Sequence, residues 1–399
     1  MFEIERVNLE AVKNPERFTP DTEFLDEAIA YACGKVKEIL PDFVHQYPAA
    51  CSENLIYRQV DNASRVLGSD WTCGFWTGML WLSYELTGNE LYRAVAEAEY
   101  DDYKKRYQDY DCLNHHDIGF IYVPSIVAQY KVTKAKKAKK LALKAAKQLS
   151  LRYSKKARII QVRDWNSPQG NFIIDCCMNL PLLFFAGQET GDRRYFLKAL
   201  NHLSRAVECM VRDDASTYQN YQIDEITGEK VRGWQGQGYV DESCWARGQA
   251  WIMYGLAAAY SYIRDDQILE MAKRVCNYFL NRLPQDTVCN WDLWFTDEKT
   301  QRDTSAAAPA ACAMLELARI LGKDSPEGQL YYNAAVTVLR NLSEKYSTKG
   351  KDSNGLLTAG VYCKDKGDGG LGDNECCIWG DYYYLEGLTR LAKDWKMYW

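Results

Sequence analysis

WTCGFWTGMLWLSYELTGNELYRAVAEAEY, residues 71–100, reads as two helices back to back. Apolar residues recur at helical spacing on both sides of LTGNE, where Gly88 can stop one helix and Asn89 can start the next. The spacing predicts helices over 75–87 and 89–108. The same unit recurs along the chain: further helices are expected at 22–40, 118–132, 134–153, 175–188, 192–212, 245–263, 265–283, 305–321, 327–346 and 377–394. Tight polar connections fall at 188–194 (QETGDRR), 263–267 (IRDDQ) and 321–328 (LGKDSPEG), and longer, aromatic-rich ones at 154–174, 213–244 and 284–304.

Twelve helices pair into six hairpins, so the fold class expected is all-α, an (α/α)6 barrel with the first helix of each pair inside. An open α-solenoid is the rival, but solenoid repeats keep a fixed period and these hairpins do not. Closure would bring every inner-helix N-terminus to one end, gathering Trp71, Trp76, His116, Asp117, Asp175, Trp245, Arg247 and Thr304. Pro124, Pro181 and Pro309 follow Asp117, Asp175 and Thr304 by seven, six and five residues, which predicts equivalent helix starts with a shared local geometry. One catalytic domain over 1–399 is expected, with 1–20 as an N-terminal extension.

Composition narrows the class of function. A formal net charge of −5 and interspersed charges give no broad basic face. The one lysine run, KVTKAKKAKKLALKAAK at 131–147, reads as a solvated helix face, so no nucleic-acid partner is expected. No window approaches 18 uninterrupted apolar residues and residues 1–18 have no leader pattern, so no membrane partner and a cytosolic location are expected. The 14 cysteines form no CxxC, which argues for reduced, mostly buried thiols and against structural zinc. GDGGLGDNE at 367–375 follows no strand and reads as a flexible loop rather than a phosphate cradle.

The 12 Trp and 28 Tyr are more telling, because many stand in polar stretches such as RDWNSPQGNF (163–172), CNWDLWF (289–295) and GYVDESCWARGQAW (238–251). Flat rings among hydrogen-bonding side chains suit sugars. Asp117 and Asp175 each border an apolar run. Each could simply cap its helix; as a buried pair on one rim, they could instead disfavour joint ionisation and hold a proton near neutral pH. Paired carboxyls are also the usual machinery for cleaving glycosides. His115 and His116 lack the partners a metal would need, so no metal or other cofactor is expected, and His116 fits a hydrogen-bonding role. Arg247 and Trp251 share one helical face, with Gln237 and Gln249 nearby. Such an arginine either grips a carboxylate or snorkels to solvent.

Together WTCGFWTGMLWLSYELTG (71–88), NHHDIGF (114–120), NFIIDCCMNLPLL (171–183), STYQNYQIDEITGE (216–229), GQGYVDESCWARGQAW (236–251), DTSAAA (303–308) and IWGDYYYLEGL (378–388) resemble the unsaturated glucuronyl hydrolases, glycoside hydrolase family 88. The resemblance implies an (α/α)6 barrel and a substrate with a terminal 4,5-unsaturated uronic acid, left by polysaccharide lyases on glycosaminoglycan fragments. It implies hydration of the vinyl ether, with Asp175 as general acid and base and Asp117 and His116 beside it. Trp71 and Trp251 would line the ring site, while Gln237 and Arg247 would address the uronate carboxylate. The unsaturated disaccharide or oligosaccharide is thus the expected partner, and the chain is expected to act as a monomer or homodimer. The alternatives are the sister unsaturated rhamnogalacturonyl hydrolases and a sugar epimerase on the same barrel; four histidines are few for the latter. Gln219 stands where relatives often have His, and Gly236 where His or Arg is frequent. The 361–370 stretch lacks the serines of relatives that accept sulfated disaccharides, its only basic residues being Lys364 and Lys366.

Overall fold

The computed structural model describes residues 3–109, 111–162, 170–367 and 369–399. Its inner helices are Cys73–Thr87 (α2), Ile118–Tyr122 and Ala128–Thr133 (α5 and α6, joined by a π-turn at Val123–Val127), Pro181–Thr190 (α8), Ala246–Ile263 (α10), Thr304–Leu321 (α12) and Ile378–Ala392 (α14). Each packs on the next, and α14 returns to pack on α2, which closes the ring and excludes the open solenoid. The outer partners are Glu90–Ala98 and Tyr100–Gln108 (α3 and α4), Lys136–Leu151 (α7), Arg193–Met210 (α9), Asp266–Leu280 (α11), Pro326–Asn341 (α13) and Leu25–Ile39 (α1).

Sequence separates the two layers. In α10 every residue from Ala246 to Ala259 is buried, and in α12 every residue from Thr304 to Ala318. The outer α9 buries only one stripe, including Ala199, Leu203, Ala206, Val207 and Met210. Helix α12 is long and apolar enough to cross a membrane, yet is buried inside the barrel. Four inner-to-outer connections are the same two-residue turn, a left-handed residue (Gly88, Lys134, Gly191, Arg264) followed by an extended one. In three of them that second residue, Asn89, Asp192 or Asp265, caps the outer helix through its side chain.

The long connections emerge at the other end, and four groups of short strands lie in them: Tyr47–Pro48 with Gln59–Val60 (β1, β2), Tyr153–Ser154 with Ile159–Ile160 (β3, β4), the antiparallel sheet Asn171–Ile173, Asn220–Ile223 and Lys230–Trp234 (β5–β6–β7), and Gly360–Cys363 with Leu371–Glu375 (β8, β9), while the connection before α12 has only isolated bridges among the described residues. The stretch 367–375 is therefore not simply a loop: Leu371–Glu375 pairs with β8, Gly360 opposite Glu375. Residues 3–24 form a strap across the outer helices. Arg6 pairs with Asp213, Glu10 with Arg282, and Thr19 N donates to Thr337 Oγ1.

Two expectations need correction. The helix expected at 175–188 begins only at Pro181, because Ile174–Met178 is a 3-10 turn, and proline's locked φ and missing N–H suit the first helical position. Nor do the three prolines share a geometry. Pro124 sits in the π-turn, Pro181 opens α8, and Pro309 lies inside α12, where Ser305 O, deprived of its i+4 donor, accepts Trp379 Nε1 at 3.2 Å.

Barrel closure depends on close backbone approach. A Cβ on Gly74 would collide with the carbonyl oxygens of Phe120 and Ile121 in the neighbouring inner helix, whereas one on Gly34 in α1 would meet nothing within 4 Å. Denaturant unfolding should therefore show Gly74→Ala destabilised by about 1–3 kcal/mol or more and Gly34→Ala stabilised by about 0.5–1 kcal/mol. Equal effects would contradict the packing described.

Candidate active site

The barrel lumen is filled by aromatic rings. Phe120 stands at its centre, with centroids 5.2 Å from Trp71, 5.5 Å from Phe75 and 5.1 Å from Trp251, and Trp399 closes it from below, stacked on Tyr383 at 5.6 Å. Against this wall the mouth presents its polar groups.

His115 and His116 divide two tasks. The Asp117 N–H donates to His115 Nδ1 (3.2 Å), whose Nε2 lies 3.2 Å from Cys112 O, so His115 holds the backbone. His116 Nε2 lies 3.2 Å from Asp117 Oδ1. Burial pushes both imidazoles down, His115 well below its usual range and His116 to about 4, so at neutral pH both are uncharged. Asp117 occupies the N-cap position of α5 but makes no cap bond with its side chain. Its carboxyl faces Asn179, whose Nδ2 donates to Asp117 Oδ1 and to Asp175 O, both at 3.2 Å.

The β5–β6 pairing delivers Asp175. Ile174 N donates to Gln219 O at 2.9 Å, and the chain then turns at once into the 3-10 segment that carries Asp175. Burial, reinforced by the negative charge of Asp117, raises the Asp175 carboxyl to about 6; burial, reinforced by Asp70, raises Asp117 to about 7. Two acids so placed retain a proton between them near neutrality. By burial and charge alone Asp117 would hold the proton longer; the hydrogen bonds reverse that order, since Asp175 Oδ2 is buried without a partner among the described residues while Asp117 Oδ1 accepts from Asn179 Nδ2.

Arg247 neither snorkels nor reaches the mouth freely. It is 1% exposed, its guanidinium 4.2 Å from the Trp245 ring and 4.8 Å from that of Trp379, donating to Val361 O and, at 2.8 Å, to Tyr362 O. Asp303 Oδ2 lies 3.9 Å away as its counter-charge. Gln237 joins the group: its Nε2 donates to Tyr362 O (2.7 Å), and its Oε1 accepts from Gln219 Nε2 (2.9 Å) and Arg247 Nη2 (3.4 Å). Gln219 Oε1 in turn accepts from Gly236 N (2.9 Å), where a Cβ would fall 3.0 Å from that oxygen. Trp71 Nε1 donates to Tyr362 OH at 3.0 Å. Lys364 pairs with Asp373 at 2.7 Å, and Lys366 donates to Gly238 O.

The structure thus brings His116, Asp117, Asp175, Trp71, Trp251, Gln237 and Arg247 into one continuous network with the aromatic wall. Two expected members fall away. Trp76 is buried against Phe43 (5.4 Å), and Thr304 bonds Thr358 O (2.8 Å) as a structural contact, its neighbour Asp303 being the group that faces Arg247. Trp165, in the aromatic stretch 163–172, lies outside the described residues. Sequence reasoning missed Asn179, Tyr362, Trp379 and Asp303. The spacing of Asn179, four residues after Asp175, was its only signal. Among the described residues no group of three or more His, Cys, Asp or Glu is set to hold a metal ion.

A closed six-hairpin barrel with a proton-sharing carboxyl pair at an aromatic mouth defines a sugar-cleaving enzyme of the (α/α)6 class. The comparisons agree: the model of Glycosyl Hydrolase Family 88 matches residues 43–383, and the chain belongs to that family. It is 40% identical over 409 residues, 100% of both chains, to the unsaturated chondroitin disaccharide hydrolase of Streptococcus agalactiae serotype III (strain NEM316). The crystal structure of unsaturated glucuronyl hydrolase from Streptococcus agalactiae superposes with a TM-score of 0.92 at 40% identity, covering 98% of this chain and 99% of that one. A variant of that enzyme complexed with dGlcA-GalNAc6S gives 0.85 at 39% identity, with the same coverage. The protein is a glycoside hydrolase.

The raised carboxyls set a stability test. A carboxyl whose folded pKa lies above its unfolded value contributes stability that is complete below about 4 and is lost as pH rises through the folded pKa. For Asp175 the window ends near 6. Asp175→Asn removes this dependence, so the melting temperature of the variant minus that of the wild type should grow by roughly 1–3 °C between pH 4 and pH 8. A difference that stays flat or shrinks contradicts the assignment.

Proposed function

We propose that the enzyme removes the terminal 4,5-unsaturated uronic acid from lyase-generated glycosaminoglycan oligosaccharides by hydrating the C4=C5 vinyl ether. The observation that carries this reading is the carboxyl pair, in which Asp175 Oδ2 is buried with no partner among the described residues while Asp117 is held by Asn179 and His116. The kinship to enzymes named for unsaturated chondroitin disaccharides and for unsaturated glucuronyl groups supplies the substrate class.

In this reading the sugar ring lies on Trp71, while Trp251, wholly buried against Phe120 and Tyr383, backs the aromatic wall without reaching the sugar. Its carboxylate meets Gln237 and feels the positive charge of Arg247 behind it. Asp175 gives its proton to C4, positive charge develops at C5, and water adds there as Asp175 takes the water's proton back. The resulting hemiketal opens and the partner sugar departs. Asp117 and His116 hydrogen-bond the ring hydroxyls, and the nearby charge of Asp117 keeps a proton on Asp175. One chain supplies every residue of this network, so a monomer suffices. The 14 cysteines remain thiols, and all but Cys112 and Cys363 are buried, which favours work in the reducing cytoplasm.

The unsaturated uronate absorbs in the ultraviolet, so the reaction is read by loss of that absorbance over a panel of chondroitin, hyaluronan, heparin and pectin disaccharides, sulfated and unsulfated. We expect turnover of the glycosaminoglycan members; a steady signal across the panel would remove the proposal, and turnover confined to pectin fragments would move the enzyme to the rhamnogalacturonyl class. Asp175→Asn should lower kcat by about 10²–10⁴-fold with folding retained. Since the acid must be protonated, kcat should fall as pH rises through about 6 to 7, the range to which Asp175 and Asp117 are raised.

A further inference from the structure

An aspartate at a helix N-cap ordinarily turns its carboxylate onto the free N–H groups of its own first turn. Asp303 does so at α12, accepting from Ser305 N at 3.0 Å. Asp117, at the same position on α5, does not. The N–H that it leaves unserved, that of Phe120, is bonded instead by Asn179 Oδ1 at 2.8 Å, from a residue 59 positions away in the next hairpin. Asn179 is wholly buried, and its other side-chain atom, Nδ2, is the one that donates to Asp117 Oδ1 and Asp175 O. Gly119 makes the approach feasible, because a Cβ there would collide with the Asn179 backbone.

The geometry points to Asn179 as the positioning residue of the carboxyl pair: it caps α5 in place of Asp117 and so releases the Asp117 carboxyl to face Asp175, while its amide N–H holds Asp117 as the ionised member. This rests on the proposed function only in assigning the proton of the pair to Asp175. One amide does both jobs because its two ends differ, the oxygen accepting from the helix and the nitrogen donating to the carboxylate. The charged and titratable groups around the pair come from several elements: His115 and His116 ahead of α5, Asp70 beside Trp71, Arg106 on α4, Arg152 after α7 and Arg247 on α10. Asp70 and the arginines act on the pair through space, and the two uncharged histidines touch only the Asp117 segment, whereas Asn179 bonds to both segments.

Asn179→Asp separates the two roles, since it keeps an oxygen for the Phe120 N–H and loses the donor to Asp117. Asn179→Ala removes both. Two readouts are needed: the titration of the Asp117 and Asp175 side-chain carbons by 13C NMR, assigned with Asp117→Asn and Asp175→Asn, and kcat against pH in the absorbance assay. In Asn179→Asp we expect a folded protein whose carboxyl pair titrates about one unit or more higher than in the wild type, with the alkaline limb of kcat displaced by the same amount. In Asn179→Ala we expect kcat to fall about tenfold or more, and a crystal structure in which Asp117 has rotated to cap α5.

Because Asn179→Asp also adds a carboxyl beside Asp117, the deciding variant is the uncharged Asn179→Ala, in which a merely structural asparagine would lower the melting temperature and leave the titration and the alkaline limb where they are. That result, or an Asp117 unmoved in Asn179→Ala, overturns the inference. If the wild type consumes no unsaturated substrate while the titration still follows Asn179, the proposed function fails and the positioning role stands.

Discussion

Burying acid groups governs this molecule. A carboxylate in an apolar wall is costly unless it is bonded or protonated, and two within reach of each other are costlier still. Here the cost is met locally. Asp117 has its amide donor and its neutral histidine; among the described residues Asp175 has neither for Oδ2, and a proton relieves it. The closed ring of apolar inner helices keeps water from softening that choice, and the backbone contacts at Gly74 and Gly119 hold the ring tight enough to do so.

The positive charge is handled by the opposite device. Arg247 is surrounded by the rings of Trp245, Trp379 and Tyr362, and spends its main donors on the Val361 and Tyr362 carbonyls. It therefore ties the β8–β9 hairpin to α10 and brings Tyr362 under Trp71 and Gln237 beside the mouth. Gln219 has an equally definite job: it bonds the Gly236 and Gln237 backbone with its oxygen and the Gln237 side chain with its nitrogen. The two lysines of the 361–370 stretch are turned to Asp373 and to the Gly238 carbonyl.

The layering was legible in the sequence because burial leaves a pattern. A helix apolar all round belongs inside and an amphipathic one outside, and the Gly-Asn and Gly-Asp turns mark the joints. What failed to show was structure too short to have a period: strands of two to five residues, and a 3-10 turn hidden in the apolar run FIIDCCMNLPLL. At the site, Asp117, Asp175 and His116 stood out as polar residues against apolar neighbours, while Asn179 has no acid–base chemistry to draw attention. Arg247 was visible as an arginine between tryptophans, but its partners are main-chain carbonyls more than a hundred residues away, and a carbonyl has no letter in the sequence.

The aromatic filling of the lumen has a bearing on the direction of traffic. With Phe75, Phe120, Trp251, Tyr383 and Trp399 packed ring against ring beneath the mouth, the barrel is plugged rather than a tunnel. No chain can thread it from end to end, so whatever enters at the mouth must leave by the mouth.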